Sequence, residues 1–285
     1  MRKIEAEKNM LDPAKHRCLE EKVAIVTGGG RGIGRAIAEI LAEHGASVTV
    51  TARTGTEIAE TVRRIRSRDG RAIAVTADVS DDREVRRMAK TSERQLGPPD
   101  ILVNNAGHPG IFASLWESDP EKWWRTLEVN LRGPMLCSRA VLPSMISKRR
   151  GVIVNIGSYI GISATPEDIA YSTSKCALVR LTDGLAASVE KYGIQVFLLS
   201  PGMVKTRMMK EIPEEIISSM SPIAWSPPEV AANIVLRLAC GEGKALSGRF
   251  LHVEDDLDQL VREAKRIRKE NLYTLRLLKL DGPAD

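Results

Sequence analysis

Short apolar runs alternate with longer amphipathic ones along most of this chain. Val23 to Thr27, Ser47 to Thr51, Ala72 to Thr76, Ile101 to Asn104, Val152 to Ile156, Gln195 to Ser200 and Phe250 to Val253 read as strands. Between them, Ile33 to His44, Asp81 to Gln95, Pro120 to Ser147 and Ala170 to Tyr192 read as helices. Gly45 stands where a glycine would end the first of these helices. An alternation repeated this often predicts an α/β fold. Parallel strands form a doubly wound sheet with helices on both faces.

The same pattern sets the domain limits. Residues 1–21 form a polar extension without a clear period, residues 22–256 one α/β domain, and residues 257–285 a separate helical tail. In the tail, Leu257, Leu260, Val261, Ala264 and Ile267 recur at helical spacing among Arg and Lys. Asp255 or Asp256 is placed to cap that helix. The stripe is expected to pack on the same chain or on a neighbouring copy. A membrane-surface role is disfavoured, because no second anchoring signal accompanies it.

Composition narrows the function classes. The net charge of +5 over 285 residues is mild, and no dense basic tract is interleaved with aromatics, so nucleic acid is not an expected partner. No stretch is apolar for long enough to span a membrane. The segment from Met1 to Lys8 is charged and reads as no signal peptide. Cys18, Cys137, Cys176 and Cys240 are far apart and form no C-x-x-C pair, so neither a zinc site nor a disulfide framework is expected. Buried free thiols in a reducing cytoplasm are the plain reading. No His/Cys/carboxylate cluster at ligand spacing suggests a metal.

Two regions carry candidate chemistry. The first predicted strand runs into Thr27-Gly28-Gly29-Gly30-Arg31-Gly32-Ile33-Gly34 and then a helix. Glycines there would let the backbone approach a pyrophosphate, and the helix N-terminus would point N–H groups at it. At the end of the second strand, Thr51-Ala52-Arg53-Thr54 has no acid of the kind that binds NAD ribose hydroxyls. Arg53, joined by Arg31, would instead meet the 2′-phosphate of NADP, with NAD still possible. The plain alternative is two surface arginines.

The second region is Tyr171-Ser172-Thr173-Ser174-Lys175, with Ser158 thirteen residues before the tyrosine. A tyrosine and a lysine four apart on a helix share a face. A nearby cation lowers a phenol's pKa, and a hydroxyl at the end of a buried strand could hold a carbonyl oxygen. Taken alone, the pair could be a packed tyrosine beside a solvated lysine.

Taken in order, these motifs resemble the short-chain dehydrogenase/reductase family, a Rossmann-type fold, over about Lys22 to Val253. They are Thr27-Gly28 to Gly34, Asp78-Val79, Asn104-Asn105-Ala106-Gly107, Asn130, Ser158, Tyr171 with Lys175, and Pro201-Gly202 followed by Thr206. The resemblance implies that Tyr171 gives or takes the proton, Ser158 holds the oxygen, and Lys175 lowers the Tyr171 pKa and binds the nicotinamide ribose. Asn130 would hold a water that links Lys175 to solvent. Asp78 and Val79 would contact adenine, and Asn104, Ala106 and Gly107 would shape the cofactor floor. Pro201, Gly202, Val204 and Thr206 would hold the nicotinamide end.

The expectation is therefore an NADP(H)-dependent oxidoreductase acting on a small carbonyl compound or secondary alcohol, as a homo-oligomer (dimer or tetramer). An NAD-dependent alcohol dehydrogenase and a non-catalytic nucleotide-binding relative are the alternatives. The chain departs from the family after its last strand, where Val253-Glu254-Asp255-Asp256 replaces the frequent Asp-Gly-Gly near subunit contacts. Met203, Met208, Met209 and Trp225 are expected either to line an apolar substrate pocket or to be core. His108 is read as a loop surface residue, with a substrate contact as the alternative, Lys148-Arg149-Arg150 as a solvated helix end and the Trp123–Trp124 pair as helix packing.

Overall fold

A computed structural model describes residues 17–163, 166, 168–214, 225–280 and 282–283. Seven parallel strands form one sheet: β1 (Val23–Thr27), β2 (Ser47–Ala52), β3 (Arg71–Thr76), β4 (Ile101–Asn104), β5 (Gly151–Ile156), β6 (Ile194–Ser200) and β7 (Phe250–His252). Their order is β3-β2-β1-β4-β5-β6-β7. The winding reverses between β1 and β4, and the crevice outside their carboxyl ends is where such sheets bind ligands.

The helices are α1 (Gly32–Glu43), α2 (Gly55–Arg66), α3 (Asp82–Leu96), α4 (Pro120–Leu127), α5 (Gly133–Lys148), α6 (Ile169–Val189), α7 (Pro228–Ala239), α8 (Leu257–Arg262) and α9 (Ala264–Lys269). They cover both faces, as side-chain alternation along the strands requires. Ala24 and Val26 of β1 join Ile37, Leu41, Ile58 and Val235 in one core layer, while Ile25 joins Met88, Val141 and Met145 in the other.

The segment read as one helix from Pro120 to Ser147 is interrupted by a π-helical turn, Glu128–Arg132. Such turns insert one extra residue per turn and re-aim side chains. Here the turn carries Asn130, which is 1% exposed. The tail stripe packs on the same chain: Leu257, Leu260, Ala264 and Ile267 are buried in the first core layer, with Asp256 capping α8 through Gln259 N–H. Val261, expected on that stripe, is exposed.

Both outer strands have partners beyond the sheet. The Arg66 guanidinium donates to the Ala72 carbonyl at 2.7 and 3.0 Å, and that of Arg87 to the Thr76 carbonyl at 2.8 Å. On the other side, Phe250 N–H donates to the Tyr273 carbonyl at 2.8 Å.

Several expectations change. Cys18 and Cys240 are joined as a disulfide, their Cα atoms 5.8 Å apart across a separation of 222 residues, so they are not free thiols. The fold brings together two cysteines whose sequence spacing gave no hint of pairing. Cys137 is buried and its thiol pushed up to about 12 by that burial, whereas Cys176 is exposed. Lys148 is not a solvated helix end: its ammonium donates to the carbonyls of Pro98 and Pro99 and to Asp100. Trp123 and Trp124 meet edge to face, with Trp124 exposed. Among the described residues no helix is long and apolar enough to cross a membrane.

Candidate active site

Thr27 ends β1 and fixes the crevice. Its hydroxyl accepts from the N–H groups of Asn105 and Ala106, both at 3.0 Å, and donates to the Val103 carbonyl at 3.3 Å. The Asn105 amide donates back to the Thr27 carbonyl at 2.9 Å. This lacing holds the first turn against the end of β4 so closely that only glycine fits next. Gly28 has φ +63, and a Cβ there would lie 2.9 Å from Ala106 Cα. A Cβ at Gly34 would collide with the Gly28 carbonyl.

Arg31 precedes α1 in extended conformation, and no side chain caps the helix. The uncapped N–H groups and the positive helix end suit the pyrophosphate of a dinucleotide. The cleft is lined by Gly28, Arg31, Gly32, Ile33, Gly34, Ala106 and Gly107, and reaches Tyr171, Lys175, Pro201 and Thr206. Its other end is lined by Ala52, Arg53, Asp78 and Val79. Asn104 lies behind this floor, 3% exposed, and donates to Asn155 at 2.8 Å. The residues present therefore fit a dinucleotide.

Charges in the cleft are partly paired. Arg53 is exposed and makes no ion pair among the described residues. Arg31 pairs with Glu57 at 2.9 Å, and Arg207 approaches the same carboxylate at 3.8 Å. Sequence reading finds no acid at the end of β2, yet the first turn of α2 supplies one. Asp78 binds Arg125 at 2.6 Å and the Ser80 hydroxyl at 2.7 Å. Against the cost of partial burial, Ser80 and then Arg125 hold its carboxyl below the usual carboxylate range. Arg125 has no motif to reveal it; only the fold carries it to Asp78.

Ser158 follows β5, and Tyr171 and Lys175 lie one turn apart on α6. Ser158 accepts from Ile160 N–H at 3.4 Å, and Ser158 and Tyr171 line the same cavity. The Lys175 ammonium stands 5.4 Å from the centre of the Tyr171 ring and donates to the Ile156 carbonyl at 2.9 Å. Burial pushes Lys175 down to about 8. Burial, then the Asp168 charge, push Tyr171 up to about 12 against the lowering effect of Ser158. This direction is opposite to the one expected from a neighbouring cation, because burial disfavours the charged phenolate.

Asn130 holds His108 and α6 together. Its amide accepts from His108 N–H at 2.7 Å and donates to the His108 carbonyl and the Ser174 hydroxyl, both at 3.0 Å. His108 is therefore no free surface residue: its ring accepts from Gly110 N–H at 3.3 Å and lines the cleft. Burial, then the Arg125 and Arg53 charges, lower its pKa against Glu211.

Beyond Tyr171 the cleft opens into a second cavity of about 430 Å³. Met203, Met208 and Met209 line it with Phe112, Ile160 and Ile212, as do Gly202 and Val204. Trp225 instead bridges to Met203, with the Lys205 ammonium over its ring. Ser158, Tyr171, Asp168 and His252 supply the polar wall. Sequence reading passed over Asp168, which caps α6 by accepting from Tyr171 N–H.

A doubly wound sheet with a dinucleotide cleft ending on a Ser–Tyr–Lys group defines an oxidoreductase of the nicotinamide-dependent class. The chain belongs to the short chain dehydrogenases, whose family model matches residues 22–217. It is 34% identical over 280 residues to a short chain dehydrogenase of Pseudocercospora fijiensis, covering 91% of this chain and 90% of that one. An uncharacterized oxidoreductase of Thermotoga maritima is 40% identical over 193 residues, 68% of this chain and 75% of its own. Among solved structures, a gluconate 5-dehydrogenase from Burkholderia cenocepacia in complex with NADP and tartrate superposes with TM-score 0.77 at 31% identity, covering 86% of this chain and 99% of that one. A 3-oxoacyl-[acyl-carrier protein] reductase from Brucella melitensis gives 0.76 at 30% identity, covering 85% and 94%.

Proposed function

We propose that this chain is an NADP(H)-dependent reductase of a ketone or aldehyde, reversible as a secondary-alcohol dehydrogenase. The observation that carries this reading is Tyr171, which lines both the dinucleotide cleft and the second cavity, where Ser158 lines the wall with it. The bound cofactor supplies the hydride. Ser158 holds the carbonyl oxygen, and the protonated Tyr171 phenol donates to it as negative charge builds there. The raised pKa of Tyr171 suits a proton donor. Lys175 draws that pKa down in the loaded site and binds the nicotinamide ribose, while Asn130 fixes the loop that floors the cleft. Gly28, Ile33, Gly34, Ala106 and Gly107 bring the backbone close to the cofactor.

The choice of NADP rests on Arg53, exposed after β2 and without an ion pair among the described residues, and on Arg31 beside it. The NADP bound to the Burkholderia dehydrogenase agrees with it. A second reading, NAD with alcohol oxidation favoured, is supported by Glu57, which could receive ribose hydroxyls in the same pocket. Cytoplasmic residence agrees with nicotinamide chemistry; the Cys18–Cys240 bond, uncommon in reducing compartments, weighs against it.

Consumption of NADPH with a panel of ketones tests the proposal, together with Tyr171→Phe. The variant is expected to bind NADPH and lose turnover by at least ~100-fold. Undiminished turnover in Tyr171→Phe, or no nicotinamide binding by the parent protein, would overturn the assignment.

A further inference from the structure

We propose that Asp168 selects the substrate: its carboxylate receives a hydrogen-bond donor, a hydroxyl or an ammonium, carried near the reacting carbonyl. This rests on the reductase reading above and names a substrate class for it.

Asp168 stands one turn before Tyr171, so the two side chains share one wall of the cavity. It is 2% exposed. Its carboxylate accepts from Tyr171 N–H at 3.3 Å. No Lys or Arg pairs with it among the described residues. The loop backbone presses on it from the other side: a Cβ at Gly110 would collide with Asp168 Oδ1. The apolar lining of this cavity includes Phe112, Met208, Met209 and Ile212.

A buried carboxylate without a cation is costly, and the Tyr171 N–H leaves most of its acceptor capacity unused. Capping α6 does not require the charge, because Ser and Asn cap as well. Burial pushes Asp168 up to about 7 against the Tyr171 N–H bond. A ligand that brings a donor completes its hydrogen bonding; a plain ketone leaves it incomplete. Sites built around such a polar group reject the analogue that lacks the donor.

The test uses matched cyclic ketones that differ only by a hydroxyl or an amino group next to the carbonyl. Specificity ratios, kcat/KM with NADPH, are compared for the parent protein, Asp168→Asn and Asp168→Ser, all of which retain a cap. The parent protein is expected to favour the donor-bearing member at least ~10-fold, mainly through KM, and both variants to bring that ratio near one. A larger effect on the amino pair than on the hydroxyl pair would identify ammonium as the preferred donor. Absence of any preference, or a preference unchanged in both variants, overturns the inference. Reduction of the plain ketone by the parent protein judges the reductase reading separately. Without turnover, thermal stabilisation of the NADP-loaded protein by the same pairs yields the same ratios, and equal stabilisation of parent and variants overturns the inference.

Discussion

Asn130 grips His108 by both ends of its main chain, accepting from the N–H at 2.7 Å and donating to the carbonyl at 3.0 Å. The same amide reaches Ser174, whose hydroxyl donates to the Tyr171 carbonyl at 2.7 Å. One side chain thus ties the loop after β4 to the first turns of α6. Asn130→Ala leaves two part-buried main-chain groups of His108 unpaired, a cost of up to about 1–3 kcal/mol. It should also loosen Tyr171, and misplacement of that order lowers turnover roughly 100-fold. Denaturant unfolding and steady-state kinetics check the two halves. A stable variant with full activity would show that the grip positions nothing.

Arg53→Ala should weaken NADPH binding about 10- to 100-fold, as expected for losing charge-assisted hydrogen bonds to a phosphate. NADH affinity should hardly change. Quenching of tryptophan fluorescence reads both. Arg31 is held by Glu57, so Glu57→Gln frees a guanidinium and removes a negative charge from the same pocket. Its NADPH affinity should rise relative to NADH. Equal losses for both cofactors in Arg53→Ala would place Arg53 outside the phosphate site.

The Cys18–Cys240 bond closes almost the whole domain into one loop. For a loop of this size the chain-entropy account assigns about 5 kcal/mol to the cross-link. Reduction should therefore lower the unfolding midpoint, and Cys18→Ser should lower it equally. Reductant should then have no further effect on the variant. A midpoint that reductant leaves untouched would mean the bond contributes nothing to stability in solution.

Asp168 also makes stability depend on pH. Its folded-state pKa of about 7 exceeds the unfolded reference of about 3.9. Between those values the folded chain binds more protons than the unfolded one, so unfolding free energy falls as pH rises. The swing is at most about 4 kcal/mol. Asp168→Asn should remove it, which denaturant unfolding of both proteins at about pH 4.5 and 7.5 would register. Parallel pH profiles would show that Asp168 titrates normally.

The strands were legible because each buried strand is a compact apolar run, and β1 and β4 begin and end where the pattern puts them. The glycine turn and the Tyr171–Lys175 spacing are local, so they too could be read directly. What escaped was set by distance in space. Glu57 joins the Arg53 end of the cleft from another helix, Arg125 finds Asp78 across 47 residues, and Cys18 meets Cys240 across 222. The π turn escaped for a different reason: Glu128–Arg132 continues the apolar spacing of its neighbours, and only the backbone path reveals the inserted residue. The charge state of Tyr171 depends on burial and on Asp168, neither visible in a Y-x-x-x-K spacing.

Open sheets expose a ladder of main-chain groups at each side, and these invite strands from other chains. Here the Arg66 and Arg87 guanidinium groups occupy carbonyls of β3, and the backbone of Tyr273 occupies an N–H of β7. In the folded chain these edge groups are therefore not open rungs for a foreign strand. A strand from another chain would have to displace these native partners before it could join the sheet.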